Sequence, residues 1–203
     1  MSHFFEKLGK RIDRLFGNNF SKDLTDEEKV MRKQREDYEF LRKHGVETEM
    51  GYVTLYGKPL IHKVPGSIIK MGKNVTLISD SNSNTAGVNH AVIIATYSKD
   101  AEIIIEDNVG LSGTSINCVK RCELREGVMI GDNVNIWDTD FHPIQPEERR
   151  AQTSLKEANA APIIIEKNVW IGANATILKG VTIGNNVIIG ANSLVNKSFP
   201  DDV

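Results

Sequence analysis

The chain reads IEKNVW-IGANAT-ILKGVT-IGNNVI-IGANSL-VNKSF from Ile165 to Phe199, and this stretch decides the fold. Every six-residue unit opens on an aliphatic side chain: Ile165, Ile171, Ile177, Ile183, Ile189 and Val195. The fourth place is Asn or Gly in most units, which indicates a corner, because these residues adopt positive φ most readily. Six is not a helical period, so the units predict short strands that are joined by corners and stacked on one another. We therefore predict an all-β solenoid of hexapeptide repeats.

The same register recurs upstream, at residues 71–75, 105–109 and 130–134. A change of phase between Leu111 and Leu124 predicts a bulge or a looser corner there. Three units would complete one triangular coil, with neighbouring coils separated by the usual strand spacing of about 4.8 Å. The coils are expected over residues 65–203, preceded by a connecting segment over residues 46–64.

Residues 1–45 follow a helical period and predict an N-terminal α-helical extension. The first helix has an apolar face that includes Phe5 and Leu8, flanked by basic residues. This face could pack on the rest of the protein or lie on a membrane surface. Thr25 followed by Glu28 predicts a capping box that opens a second helix, which ends at His44 before Gly45.

Two polar stretches interrupt the repeats. Residues 80–89 are rich in Ser and Asn and predict a loop. Residues 142–162 contain Pro143 and Pro146 and predict a protruding loop with helical pieces. Insertions in a regular solenoid usually lie on one face, where binding takes place.

Composition bounds the function class. The 203 residues are 40% hydrophobic and 26% charged, which is typical of soluble globular proteins. A net charge of -2 argues against a general nucleic-acid binder. No secretory signal or membrane-length apolar run is evident, so a cytoplasmic location is expected. Cys118 and Cys122 have no second pair to complete a zinc site, so no metal is expected and both thiols are predicted to be free.

Candidate catalytic residues stand immediately before the second interruption, in the segment Trp137-Asp-Thr-Asp-Phe-His-Pro143. In an extended segment alternate side chains share a face, so Asp138, Asp140 and His142 are expected to point the same way. A carboxylate beside an imidazole fixes its tautomer and raises its basicity, which suits a general base.

This segment, the polar loop after it and the phrase Asn168-Val-Trp-Ile-Gly172 resemble the hexapeptide-repeat O-acetyltransferases. The galactoside and maltose acetyltransferases and the enzymes that acetylate bacterial surface polysaccharides are the most similar groups. The resemblance covers roughly residues 65–200 and not the first 45. It implies a left-handed parallel β-helix, a homotrimer, and acetyl-CoA as co-substrate in a groove between subunits.

The resemblance also implies roles for individual residues. His142 would be the general base, with Asp140 beside it, and would take a proton from an acceptor hydroxyl that attacks the thioester directly. The backbone N–H of Ala173 would stabilise the oxyanion, with Ser112 or, alternatively, Asn117 as the second donor. The residues expected to bind acetyl-CoA are Trp170, Ala173, Ala191, Asn196 and Lys197. The residues expected to bind the acceptor are Asp138, Asn117 and Ser112.

The sequence thus predicts an acetyl-CoA-dependent O-acetyltransferase acting on a sugar or saccharide. Two alternatives remain open: an acetyltransferase for an amino sugar, amino acid or antibiotic, and a non-catalytic solenoid scaffold. A zinc carbonic anhydrase of the same fold would need three histidines, two of them close in sequence. No two histidines of this chain are close in sequence, so that class is not favoured.

Overall fold

The computed structural model describes residues 24–155 and 158–203, and successive strands of this chain join three parallel sheets in turn. Sheet 1 holds β1 (Val53–Tyr56), β4 (Val75–Ile78), β7 (Gly110–Ser112), β10 (Met129–Asp132), β13 (Trp170–Ile171) and β16 (Ile188–Ile189). Sheet 2 holds β2 (Leu60–His62), β5 (Ile93–Thr96), β8 (Ser115–Cys118), β11 (Asn135–Trp137), β14 (Thr176–Leu178) and β17 (Leu194–Val195). Sheet 3 holds β3 (Ile68–Met71), β6 (Glu102–Ile105), β9 (Arg121–Leu124), β12 (Ile163–Ile165) and β15 (Thr182–Ile183). Three consecutive strands therefore complete one coil of a parallel β-helix.

One column of aliphatic side chains from each sheet fills the interior of the coils. In sheet 1, Leu77 pairs with Leu111 of the next coil, and Ile171 lies further along the same column. Each of these side chains is at most 1% exposed. The hexad-opening residues Ile177 and Ile183 are fully buried in the same way. The predicted fold class is confirmed, because the hexapeptide period places one apolar side chain of each unit inside the prism.

Asparagines form many of the corners. Seven adopt the left-handed conformation, with φ between 55° and 61°: Asn74, Asn108, Asn133, Asn168, Asn174, Asn186 and Asn192. Stacked asparagines also bond to each other, as in Asn74 Nδ2 to Asn108 Oδ1 at 3.0 Å and Asn168 Nδ2 to Asn186 Oδ1 at 3.3 Å. The predicted role of Asn at the fourth place of each unit is confirmed.

The β-helix begins earlier than the sequence indicated. β1 and β2 are full members of sheets 1 and 2, so the first coil starts at Val53 and not at residue 65. The error arose because this coil has inward-facing Val53 and Leu55 but lacks the Asn-containing corner phrase. The predicted phase change lies in the corner after β7, where the buried Leu111 and Ile116 are five residues apart instead of six. As a result, β10 has one extra residue between Ile130 and Asp132 where it pairs with Leu111 and Ser112 of β7.

Helix α1 (Asp26–Lys43) covers the open edge of β1. The predicted capping box is confirmed, since the Thr25 side chain accepts from the Glu28 N–H and the Glu28 carboxylate accepts from the Thr25 N–H. Leu41 of α1 is fully buried against the first coil. The helix predicted over residues 4–16 lies outside the described residues.

Side chains of α1 also satisfy backbone groups of β1. The Leu55 N–H donates to Asp37 Oδ2 at 2.9 Å, and Lys33 Nζ donates to the Leu55 carbonyl at 2.6 Å. Lys33 and Asp37 themselves form an ion pair at 2.8 Å. A charged pair on the helix thus replaces the neighbouring strand that β1 lacks on this side.

The corners define three edges of the prism, which we name by the sheets they join. Edge 1–2 follows the strands of sheet 1 and carries the first insertion, residues 79–92 between β4 and β5. Edge 2–3 follows the strands of sheet 2 and carries the second insertion, residues 138–162 between β11 and β12, which contains the short helix α2 (Pro146–Ala151). Among the described helices, none combines the length and the apolar character that crossing a membrane requires.

Candidate active site

His142 lies in the second insertion, on edge 2–3, with an exposed side chain. Its Nδ1 is 2.7 Å from Oε1 of Gln152, which follows helix α2. Its other ring nitrogen, Nε2, has no hydrogen-bond partner within the described residues. The ring is therefore anchored at one nitrogen and open at the other, which is the arrangement that proton abstraction needs.

Asp140 does not pair with His142, and that prediction is wrong. Its Oδ1 accepts from Lys179 Nζ at 2.7 Å, in the corner one coil further on. The expected alternation of side chains fails because Phe141 has φ of 61°, which turns the chain between the two residues. Nothing in the residue types indicated this turn, because phenylalanine rarely adopts positive φ.

Asp138 is fully buried, so its predicted contact with the acceptor is also wrong. Its carboxylate accepts the backbone N–H groups of Val119 at 2.7 Å, Lys120 at 2.6 Å and Arg121 at 3.0 Å. Burial raises the pKa of Asp138, although these backbone donors oppose the shift. Asp138 therefore stabilises the corner between β8 and β9.

The two cysteines lie beside this carboxylate. Cys118, Cys122 and Asp138 place their potential ligand atoms within 4.8 Å of one another, and all three are buried. The Cys118 thiol donates to Asp138 Oδ2 at 3.3 Å, and burial raises the pKa of the Cys122 thiol well above its ordinary value. Because Asp138 already accepts backbone donors at both oxygens, the cluster is a packed corner rather than an open ligand set.

Asn117 and Ser112 are buried and do not reach His142. Asn117 Oδ1 accepts from the Tyr97 hydroxyl at 2.8 Å, and its Nδ2 donates to Ser115 Oγ at 2.8 Å. Ser112 lies on edge 1–2, where its Oγ accepts from Asn84 Nδ2 of the first insertion at 3.3 Å. Ser112 and His142 therefore lie on different edges of the single chain, whereas Asn117 lies on β8 beside Trp137, one coil before the insertion.

The residues expected to bind the coenzyme fall into three places. Trp170 is 50% exposed on sheet 1, between Met129 and Ile188 in the neighbouring strands. Ala173 and Ala191 follow strands of sheet 1 and lie on edge 1–2. Asn196 and Lys197 are exposed on edge 2–3, two coils beyond the corner that carries His142. These last two residues share an edge with the candidate base.

Ala173 offers an unpaired backbone donor. Its carbonyl accepts from the Asn192 N–H at 2.8 Å, but its own N–H has no acceptor in the described part of the chain. Ala173 and His142 lie on different edges, separated by the width of sheet 2, of which the three residues of β11 alone span roughly 10 Å. A single chain does not bring these two groups together.

Comparison with known proteins agrees with this architecture. The family model of the bacterial transferase hexapeptide (six repeats) matches residues 162–197. Residues 162–197 carry the hexapeptide repeat of bacterial transferases. This hexapeptide-repeat chain is 46% identical over 76 residues to the galactoside O-acetyltransferase of Lactococcus lactis, a match that covers 37% of this chain and 34% of that protein.

A longer match joins the hexapeptide-repeat chain to a putative lipopolysaccharide biosynthesis O-acetyl transferase of Escherichia coli. The two are 27% identical over 105 residues, which is 49% of this chain and 54% of the relative. The chain thus spans about a third to a half of the length of these curated relatives. Similarity is established for the repeats and not for the whole of either protein.

One solved structure supports the fold itself. The N-acyltransferase AntD from Bacillus cereus, solved as a point mutant in complex with dTDP and coenzyme A, superposes with a TM-score of 0.51. The match covers 73% of each chain at 19% sequence identity. At this identity the comparison concerns the β-helix alone.

Proposed function

We propose that this chain transfers the acetyl group of acetyl-CoA to a hydroxyl of a sugar or saccharide, with His142 as the general base. The observation that carries the proposal is the exposed imidazole on edge 2–3, anchored through Nδ1 with Nε2 open. The O-acetyltransferase names of the relatives that share the repeats support the reaction class. A hydroxyl that loses its proton to Nε2 attacks the thioester carbonyl directly, so no enzyme nucleophile is needed. The carbon–sulfur bond then breaks, and the coenzyme leaves as a thiolate that takes the proton from the imidazolium.

The remaining parts of the site are proposed from their chemistry. Lys197 is exposed two coils from the base on the same edge, and its ammonium group suits a phosphate of the coenzyme. Trp170 offers an exposed ring for apolar or stacking contact. The unpaired N–H of Ala173 is the candidate donor to the oxyanion.

We further propose that the site forms between copies of the chain in a homotrimer. Edge 1–2, with Ala173 and Ala191, and edge 2–3, with His142 and Lys197, lie on opposite sides of sheet 2. In a closed three-fold ring, edge 1–2 of one copy can face edge 2–3 of the next. The cytoplasmic location stays a prediction from the sequence.

The activity is tested by incubating the purified protein with acetyl-CoA and a panel of saccharides. Coenzyme A release is followed with a thiol reagent, and Cys118 and Cys122 contribute little background because both are buried. Each sugar is paired with its 2-amino analogue, and mass spectrometry locates the acetyl group. Acetylation of amines alone would assign the protein to the N-acetyltransferase class, and the absence of transfer would favour a scaffold.

Replacing His142 with Ala should lower turnover about 10²- to 10⁴-fold, the usual contribution of a general base. His62→Ala is the matched control, because His62 is an exposed histidine on the first coil, remote in sequence from the insertion. Unchanged turnover in His142→Ala would remove the proposed mechanism.

Subunit complementation tests the location of the site. Ala173→Pro removes the candidate donor N–H, and His142→Ala removes the base, so each variant alone should be inactive. Mixed trimers from equal co-expression should recover about a quarter of wild-type activity if each site uses one edge from each of two copies. No recovery, with both variants folded, would place the site within one chain or rule it out.

A further inference from the structure

We propose that Gln152 is the positioning residue that sets the tautomer of His142, so that Nε2 is the nitrogen that takes the proton. The inference rests on the proposed acetyl transfer for its role in the reaction. Its structural part depends only on the hydrogen bonds of the second insertion.

The hydrogen bonds of Gln152 fix which end of its amide faces the imidazole. Gln152 Nε2 donates to the carbonyl of Phe141 at 2.9 Å and to the carbonyl of Ser154 at 3.0 Å. Both partners can only accept, so a flipped amide would set its oxygen against two carbonyl oxygens. Oε1 must therefore face His142, at 2.7 Å from Nδ1.

The tautomer follows from this orientation. The amide oxygen can only accept, so Nδ1 of His142 must carry the hydrogen. In the neutral ring, the lone pair then lies on Nε2, which has no partner in the described chain. Gln152 thus presents the basic nitrogen outward and holds the other one.

The Gln152 side chain also stabilises the backbone of the residue that precedes His142. Phe141, which directly precedes His142, has φ of 61°, and its ring packs edge-on against Trp137 at 5.6 Å between centroids. The Phe141 N–H donates to Thr139 Oγ1 at 3.2 Å, while its carbonyl accepts from Gln152. Phe141 therefore adopts a conformation that is rare for a bulky residue, and contacts of its N–H group, its ring and its carbonyl hold it there.

The acceptor at Nδ1 is neutral, which distinguishes this site from one that uses a carboxylate. The charged groups described in the insertion form no ion pair with the ring. Asp140 pairs with Lys179, Arg149 donates to the carbonyls of Pro143 and Ile144, and Glu148 is exposed on α2. Glu147 pairs with Arg150 on α2. A neutral amide accepts from Nδ1 and so orients the ring without placing a negative charge beside it.

Three variants and one spectroscopic measurement test the proposal. Gln152→Leu keeps the size of the side chain and removes its hydrogen bonds, and should lower kcat about 10- to 100-fold, as loss of an orienting partner of histidine does elsewhere. Its KM for acetyl-CoA should be unchanged, because Gln152 is not proposed to bind the coenzyme. Gln145→Leu is the matched control, since Gln145 lies in the same insertion and makes no capping bond to α2 with its side chain. It should keep wild-type kinetics.

Gln152→Glu provides the pH test. A carboxylate at this position still accepts from Nδ1 and also stabilises the imidazolium, so the acid limb of the kcat/KM profile should move to higher pH. Its second oxygen cannot donate to the carbonyls of Phe141 and Ser154, so kcat should also fall. An acid limb that stays in place would show that residue 152 does not contact the ring whose protonation limits the reaction, and would overturn the proposal.

The tautomer is read directly from the ¹⁵N chemical shifts of the His142 ring. In the wild type, Nδ1 should carry the hydrogen, and in Gln152→Leu the population should move towards the Nε2–H form. An unchanged tautomer in Gln152→Leu overturns the proposal, as does a changed tautomer with an unchanged kcat. If the tautomer follows Gln152 but no variant transfers acetyl groups, the proposed function fails instead, and the catalytic role of Gln152 fails with it.

Discussion

The early coils, residues 53–124, and the late coils, residues 163–195, build the same prism from different sequences. Most early strands have four residues and only some of their corners contain the Asn-Val phrase, whereas most late strands have two residues within strict hexads. Yet Ile103 in an early coil and Ile183 in a late coil are both fully buried in sheet 3. The fold therefore requires a column of apolar side chains that point inward, and the hexapeptide repeat is one of several sequence patterns that supply it.

The largest expected effect tests this equivalence. Ile103→Ala and Ile183→Ala should each lower the free energy of unfolding by about 2–5 kcal/mol, since both remove a fully buried aliphatic side chain from a stacked column. Urea denaturation of the two variants beside the wild type measures the losses. A large loss at Ile183 alone would show that the strict hexads carry the stability of the whole prism.

Asp138, which lies between the two regions, holds a corner of the early coils. Asp138→Ala should cost about 2–3 kcal/mol, because buried backbone N–H groups of the corner lose their acceptor. Asp140→Ala is the control and should cost less than about 1 kcal/mol, since it removes only a partly exposed ion pair with Lys179. If Asp138→Ala lost acetyl transfer at unchanged stability, the carboxylate would return as a candidate for binding the acceptor.

The smallest effect concerns the corners that both regions share. Asn74→Ala in an early coil and Asn168→Ala in a late coil should each cost about 1 kcal/mol, because alanine is strained in the left-handed conformation that these residues adopt. The corresponding Gly variants should lie close to the wild type. Thermal unfolding of the four variants measures these losses of stability. A loss at Asn168 alone would show that the corners of the two regions differ.

The predictability of each region reflects how local its determinants are. The late coils could be predicted because Ile171, Ile177 and Ile183 repeat at a fixed interval that only stacked short strands can bury. The first coil was missed because Val53 and Leu55 form an ordinary alternating strand, which acquires its place only by pairing with β4. Periodicity reports the stacking of repeated units and gives no information where a coil is irregular.

The candidate site also combines a residue that the sequence could locate with a contact that it could not. His142 could be located because the repeats stop beside it, but its partner could not. Gln152 stands ten residues further along, and its contact depends on how the chain returns after α2. Phe141 at positive φ separates Asp140 from His142, and no residue type in the segment indicates that turn.

The ion pair of Lys33 and Asp37 has a consequence for how copies of this protein behave at high concentration. A bare first strand would template the addition of another chain and let prisms grow end to end into fibres. By occupying the amide and carbonyl of Leu55, the two side chains leave no vacant rung there for an incoming strand. Helix α1 thus blocks the addition of a strand at this edge of sheet 1.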